Sequence, residues 1–164
     1  MEAQWFEKLA IQELCSRYCL TIDAQDCDGW AGCFTADGVF EFDGSQIRGT
    51  AALREYAAVH ARVMRTRHMT LNHLYDVHDS EARGRSTTVC TLATTGGYKI
   101  FGQGEYSDRL VKQDGQWRFA HRRVETDRLV DDPGRPINLA DPDVAVLVRH
   151  LIDSKARLSQ AVQQ

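Results

Sequence analysis

Three histidines recur at equal intervals in the stretch RTRHMTLNHLYDVHD, where His68, His73 and His78 are five residues apart. Imidazoles bind metals and act as acids or bases near neutral pH. The stretch alternates like a β-strand, and five-residue steps on a strand send alternate side chains to opposite faces. His73 is therefore expected to point away from the other two, which lie about 33 Å apart along a straight strand. No single metal ion reaches all three, and we expect no metal site.

The composition is that of an ordinary globular protein and shows no bias toward a charged partner. The 164 residues carry a formal net charge of −3, with acidic and basic residues interspersed. This balance predicts neither a nucleic-acid nor a membrane partner. The stretch MEAQWFEKLA has no long apolar run, and the five cysteines form no CxxC pair, so we expect a cytoplasmic protein with reduced thiols. HExxH, P-loop and GxSxG motifs are absent, and we expect no cofactor.

Four helices are expected from apolar periodicity and from capping residues. Residues 5–23 have apolar side chains at three- and four-residue spacing, which is typical of an amphipathic helix. Asp26 begins a short second helix, and Thr50 begins a third. Asp141, followed by proline, begins the last helix.

Period-two alternation predicts the strands, most of which follow residue 67. Their order after the first helices predicts an α+β fold in which a curved antiparallel sheet wraps around the helices. We expect one domain, with a cone at 1–130 and a C-terminal extension at 131–164 that begins with a turn at 131–138. The predicted strands are 37–44, 68–78, 84–95, 98–112 and 117–126.

The ordered set FTADGVFEFDG, GTAALREY and DGQWRFAHRRV resembles the SnoaL-like branch of the nuclear-transport-factor-2-like superfamily over about residues 5–127. The resemblance implies a cone, with a strongly curved antiparallel sheet around N-terminal helices and an apolar pocket at the open end. Scytalone dehydratase, polyketide cyclases, a bile-acid dehydratase and a dehydrochlorinase belong to this branch. The non-catalytic small subunit of ring-hydroxylating dioxygenases has the same fold, so fold alone does not decide function.

The resemblance also implies roles for three residues. In several lyases of the branch, an Asp at the end of the first helix orients a His at the start of the strand after the third helix. These positions match Asp23 and His68, and a tyrosine five residues before the Asp matches Tyr18. A carboxylate in the last helical turn also meets the negative end of the macrodipole, at a cost of about 0.3–1 kcal/mol that a His partner would offset. Alternatively, the helix ends near residue 21 and Asp23 faces water.

The sequence alone does not decide whether His68 points into the cavity. Alternation puts His68 on the polar face of its strand, so it reaches a pocket only if the near end of that face lines the cavity or a β-bulge re-aims it. His121 shares a face with Trp and Phe and is predicted to line the cavity. Its imidazole replaces the basic group of the dehydrochlorinase-like pattern, which counts against halide elimination. His60 is interpreted as a packed core histidine. Further predicted wall residues are Tyr56, Tyr98 and Phe101.

Together these residues predict a cofactor-independent lyase or isomerase of the dehydratase type that acts on a small hydrophobic, cyclic molecule. His68 would remove a proton from carbon, Asp23 would hold its other N–H, and Tyr18 would bind a carbonyl or departing oxygen. The alternative is a non-catalytic subunit or ligand-binding module whose apolar surface a partner chain covers. We expect a homo-oligomer, a dimer or a trimer, in which the last helix covers the cone mouth or lies in the interface.

Overall fold

The computed structural model describes residues 2–42, 44–128 and 141–161. The α+β fold class is confirmed, and the first and last helices have the expected positions. The predicted turn at 131–138 lies outside the described residues. The helices are α1 (Glu2–Asp23), α2 (Cys27–Ala31), α3 (Thr50–Val63) and α4 (Pro142–Ala161), and the strands are β1 (Phe34–Phe42), β2 (Ser45–Arg48), β3 (Thr66–His78), β4 (Glu81–Thr94), β5 (Gly97–Gln113) and β6 (Gln116–Thr126).

The six strands form one sheet in the order β2-β1-β6-β5-β4-β3. Every neighbouring pair is antiparallel except β1 and β6, which are parallel, so the sheet is mixed rather than wholly antiparallel. Alternation in the sequence reports which face a side chain takes and not the direction of the partner strand. Helix α1 packs on β3 and β6, α3 packs on β1 and β2, and the apolar core lies between the helices and this face of the sheet.

A β-bulge in the middle of β3 changes which side chains face the helices. The register against β4 shifts at Asn72, whose φ of 54° is in the left-handed region. His68 and Tyr75 are seven residues apart and would take opposite faces of a regular strand, yet both turn inward because the bulge inserts one residue. His73 was expected to point away from His68. It is instead half-buried on the inner side, and its ring stacks on Tyr75 with centroids 6.2 Å apart.

A second bulge, at Ala120 in β6, has the same effect on a predicted wall residue. The register against β5 shifts there, so that the inward side chain after Phe119 is Arg122 rather than His121. His121 lies on the other face of the sheet, where its Nε2 is 3.0 Å from the Glu41 carboxylate. The prediction that His121 lines the cavity is wrong, because the bulge displaces the alternation by one residue.

The bulge places a charged side chain in the core. Arg122 is fully buried, and its Nε and Nη2 donate to the two carboxylate oxygens of Asp108 at 2.8 Å each. The Tyr75 hydroxyl donates to the same carboxylate at 2.6 Å. The guanidinium carbon also lies 4.4 Å from the ring centroid of Tyr18. A buried charge is tolerated only when it is paired, so this ion pair is a condition for packing β6 against α1.

We expect Asp108→Ala to lower the free energy of unfolding by about 3–5 kcal/mol, because it leaves the Arg122 charge buried without its carboxylate. Urea denaturation measures the change. Glu105→Ala on the same strand is the control. Its ion pair with Arg85 is 3.5 Å long and the two side chains are 43% and 63% exposed, so its loss costs about 0–1 kcal/mol. Equal effects of the two substitutions would contradict the proposed importance of the buried pair.

Candidate active site

The position of Asp23 follows from the way α1 ends. Gln25 adopts a positive φ of 64°, and its N–H donates to the Ile22 carbonyl at 3.1 Å. The next N–H, that of Asp26, donates to the Thr21 carbonyl at 2.9 Å. These two bonds form a Schellman motif, which satisfies carbonyls that the helix end would otherwise leave without partners. Asp23 is therefore the last residue of α1, and the helix does not end near residue 21.

Three donors from the start of β3 surround the Asp23 carboxylate. His68 Nδ1 lies 2.7 Å from Oδ1, and the His68 backbone N–H donates to Oδ2 at 2.8 Å. The Thr66 hydroxyl donates to Oδ1 at 3.0 Å. The side chains of Asp23 and His68 are only 7% and 12% exposed, so the carboxylate does not face water. The side chains of Asp23 and His68 thus meet at the end of α1.

The protonation of this pair follows from its contacts. Burial raises the pKa of Asp23, but the hydrogen bonds and charge of His68, with the Thr66 hydroxyl, lower it more, and the pKa lies below its usual value. An ionised carboxylate only accepts hydrogen bonds, so Nδ1 of His68 must carry the hydrogen. The neutral imidazole then has its lone pair on Nε2, where it can accept a proton from a ligand.

An apolar cavity begins at His68 and extends between the helices and the sheet. The part that a water-sized group can reach is about 50 Å³, and all the space between the walls, with the opening to solvent, is about 560 Å³. Tyr18, Tyr56 and Phe101, which were predicted for the site, line it, and none of the described residues of α4 does. Seven of the sixteen residues that line it are Phe, Trp or Tyr, so a ligand held here loses contact with water. Aromatic wall residues that sequence reasoning did not assign to the site are Trp30, Phe40 and Phe42.

Tyr98 does not belong to this cavity. It is 84% exposed and lies beside the turn that joins β4 to β5, where residues 95–98 are all exposed. No helix covers an exposed hairpin tip, so an aromatic side chain there meets solvent rather than the core. Tyr98 borders instead a separate, polar depression with Arg65 and Arg67. Its prediction as a cavity residue is wrong.

Tyr18 supplies a neutral hydroxyl to the wall. Its ring packs against Trp30, with centroids 5.5 Å apart, and against the Arg122 guanidinium. Burial raises the pKa of Tyr18 well above its ordinary value, so the hydroxyl keeps its hydrogen at every physiological pH. Among the residues that the structure describes, none accepts a hydrogen bond from this hydroxyl. Tyr18 can therefore donate to an oxygen atom of a ligand.

Sequence reasoning did not assign His60 to the site. The residue is buried and its Nε2 lies 3.4 Å from the Thr66 hydroxyl, as expected of a packed histidine, but it also lines the cavity. Its ring centroid is 6.0 Å from that of His68. One signal was present in the sequence: His60 follows Tyr56 by four residues on α3, and residues four apart share a helix face.

No group of three or more His, Cys, Asp or Glu side chains that could hold a metal ion occurs within 2–42, 44–128 and 141–161. Within the same part of the chain, no helix is both long and apolar enough to cross a membrane.

The model of the SnoaL-like domain matches residues 6–123. The chain belongs to the SnoaL-like family. A variant of Rv3472 from Mycobacterium tuberculosis, described as a protein of unknown function, is 62% identical and superposes with a TM-score of 0.94. The match covers 96% of this chain and 93% of Rv3472. No curated protein gives a sequence match.

Two more distant structures show how widely this SnoaL-like fold is used. A candidate scytalone dehydratase from Novosphingobium aromaticivorans is 25% identical, with a TM-score of 0.72 over 84% of this chain and 95% of its own. The beta subunit of a candidate aromatic-ring-hydroxylating dioxygenase from the same organism is 18% identical, with a TM-score of 0.67 over 84% of this chain and 100% of its own. The second likeness shows the fold alone, and a shared fold does not decide function.

We expect the stability of the protein to decrease as the pH falls below about 6.5. Burial, together with the charge of His68, lowers the pKa of His60 from 6.5 to about 3. Between these values the unfolded chain binds a proton on His60 and the folded chain does not, so this residue lowers the free energy of unfolding by up to about 1.4 kcal/mol per pH unit. Chemical denaturation at pH 7 and pH 5 measures the slope. His60→Leu should reduce it, and an unchanged slope in that variant would contradict the burial of a neutral His60.

Proposed function

We propose that this protein is a cofactor-independent lyase or isomerase that acts on a small hydrophobic, cyclic molecule with hydroxyl or carbonyl groups. The observation that carries the proposal is the contact between the Asp23 carboxylate and His68 Nδ1, beside an apolar cavity. A carboxylate that fixes the tautomer of a histidine leaves the other ring nitrogen ready to act as a base. The candidate scytalone dehydratase among the structural neighbours supports the dehydratase type of reaction.

In the proposed reaction, Nε2 of His68 removes a proton from a carbon atom next to a carbonyl. The electron pair of the broken C–H bond moves toward the carbonyl oxygen, to which the Tyr18 hydroxyl donates a hydrogen bond. Asp23 stabilises the imidazolium that forms. In a lyase the electron pair returns from the oxygen to form a C=C bond, the C–O bond of the adjacent carbon breaks, and the imidazolium gives its proton to the departing oxygen, which leaves as water. In an isomerase the proton returns to another carbon of the substrate.

The rate enhancement expected from each group of the proposed site can be given in order of magnitude. A positioned general base contributes roughly 10²–10⁴-fold to the rate. A hydrogen bond that strengthens as charge develops on the oxygen contributes a further 10²–10³-fold. Both effects are stronger in a cavity that excludes water, because the effective dielectric constant is low there.

A second candidate is a non-catalytic subunit or ligand-binding module. It is favoured by the fold shared with a dioxygenase beta subunit and by apolar side chains exposed on the outer face of the sheet. The buried pair of Asp23 and His68 favours the enzyme, because a structural role would not require an unprotonated nitrogen at the cavity.

We also propose that the protein is a cytoplasmic homo-oligomer, a dimer or a trimer. Met69, Leu71 and Leu74 on β3 and Ile100 on β5 are exposed on the outer face of the sheet. A second copy of the chain presents the same apolar face, and contact between copies through this face would remove its side chains from water. The five cysteines are free thiols, which is typical of a reducing compartment.

We expect His68→Ala to lower kcat by about 10²–10⁴-fold while substrate affinity changes little, because only the base is lost. Candidate substrates are screened among hydroxysteroids, polyketides and terpenoids, and the incorporation of deuterium from D2O reports proton abstraction from carbon directly. Asp23→Asn should cause a loss of similar order, because it no longer holds the required tautomer. His78→Ala, at an exposed position of the same strand, is the control.

Normal turnover by His68→Ala would exclude the proposed base. If no compound is turned over, and the protein binds a partner chain equally well with and without His68 and Asp23, the second candidate is supported instead.

We expect light scattering after size-exclusion chromatography to give the mass of a dimer or trimer for the wild type and that of a monomer for Leu71→Lys, which places a charge in the proposed interface. Leu20→Lys is the control, since Leu20 is also exposed, at 69% against 51% for Leu71, but lies on α1. A monomeric wild type, or an unchanged oligomer in Leu71→Lys, would contradict the proposed contact.

A further inference from the structure

His60 has a ring nitrogen that the rest of the described structure does not satisfy. Its Nδ1 is buried and has no hydrogen-bond partner among the described residues, although the side chain lines the cavity. Buried polar atoms without a partner are rare in folded proteins, and each calls for an explanation. Because the His60 side chain lines the cavity beside His68, a group that enters with a ligand can supply the missing partner.

The hydrogen bonds around Thr66 determine what kind of partner is missing. Thr66 has one hydroxyl hydrogen, and its oxygen lies 3.0 Å from Asp23 Oδ1 and 3.4 Å from His60 Nε2. The carboxylate cannot donate, so the hydrogen must lie between Thr66 and Asp23. The Thr66 oxygen then accepts from His60, whose Nε2 carries the hydrogen. A neutral imidazole has only one N–H, which makes Nδ1 of His60 an acceptor.

We propose that His60 is a specificity-determining residue whose Nδ1 accepts a hydrogen bond from a hydroxyl group of the substrate. The inference deepens the proposed function and rests on it, since the substrate concerned is the one on which His68 acts. The substrate is thus a small apolar molecule with an alcohol or phenol group beside the carbon that loses its proton. The rings of His60 and His68 have centroids 6.0 Å apart, so one small molecule can contact both.

The hydroxyl bound by His60 is retained in the product. The carbonyl oxygen and a departing oxygen both gain negative charge and need a donor, which Tyr18 and the His68 imidazolium can provide and an unprotonated nitrogen cannot. Burial, with the charge of His68, keeps the pKa of His60 near 3, so Nδ1 remains an acceptor at neutral pH and throughout the reaction. His60 and Tyr18 therefore distinguish two oxygen atoms of the substrate by their opposite hydrogen-bonding character.

The tautomer is tested directly by the nitrogen chemical shifts of ¹⁵N-labelled histidine in the wild-type protein at pH 7. We expect His60 to show a protonated Nε2 and an unprotonated Nδ1. Nδ1 should move toward lower frequency when 2-naphthol, used as a hydroxyl probe, is added, and should not move with 2-methylnaphthalene. A protonated Nδ1 would overturn the proposal without the use of any variant.

Binding of the same two compounds tests the contact itself. We expect the wild type to prefer 2-naphthol over 2-methylnaphthalene by about tenfold, the usual worth of one buried hydrogen bond, and His60→Leu to lose most of this preference. His73→Leu makes the same change at a half-buried histidine outside the cavity and should keep the preference. An equal preference in wild type and His60→Leu would overturn the proposal.

The two proposals fail in different ways. Neither compound has to be turned over, so the preference is measured whether or not His68 is a base. Normal turnover by His68→Ala together with a His60-dependent preference would exclude the base and keep the hydroxyl contact. If turnover requires His68 but the preference for 2-naphthol does not depend on His60, the base is supported and the hydroxyl contact is excluded.

Discussion

The carboxylate of Asp23 is the point at which the site is held together. It lies at the end of α1, almost fully buried, and an ionised group in such a place is stable only if donors surround it. Three donors from the start of β3 surround it: the backbone N–H of His68, its Nδ1–H and the Thr66 hydroxyl. The same contacts fix the tautomer of His68 and, through Thr66, that of His60. One buried charge thus sets the position of a helix end and the hydrogen-bonding character of two imidazoles.

The two bulges determine which side chains this arrangement can use. Without the bulge at Asn72, a strand that turns His68 inward would turn Tyr75 outward, and the hydrogen bond from Tyr75 to Asp108 would be lost. The bulge at Ala120 likewise turns Arg122 into the core, where Asp108 neutralises it. Both bulges are therefore needed for the buried ion pair of Arg122 and Asp108. The Arg122 guanidinium of this pair packs against the ring of Tyr18, which lines the cavity.

The cavity combines an apolar wall with a few polar groups that differ in character. Tyr18 is a donor, His60 is an acceptor, and both are kept neutral by burial, whereas charge can develop on His68 because Asp23 lies beside it. This separation of roles is what an acid–base site requires in a medium that disfavours charge. The fold itself is shared with a candidate dehydratase and with a dioxygenase subunit, so the case for an enzyme depends on these residues.

The sequence by itself determined the elements and the family. Apolar periodicity and turn residues report local structure, and they predicted the helices, the long strands and the α+β class; the ordered motifs paired Asp23 with His68 by resemblance. Only the tertiary structure decided which faces point inward, since a bulge arises from pairing with a neighbouring strand and shifts every later side chain by one position. For that reason His121 was misplaced and Arg122 overlooked. The acceptor on His60 likewise depends on Thr66 and Asp23, two residues from other elements that only folding brings to it.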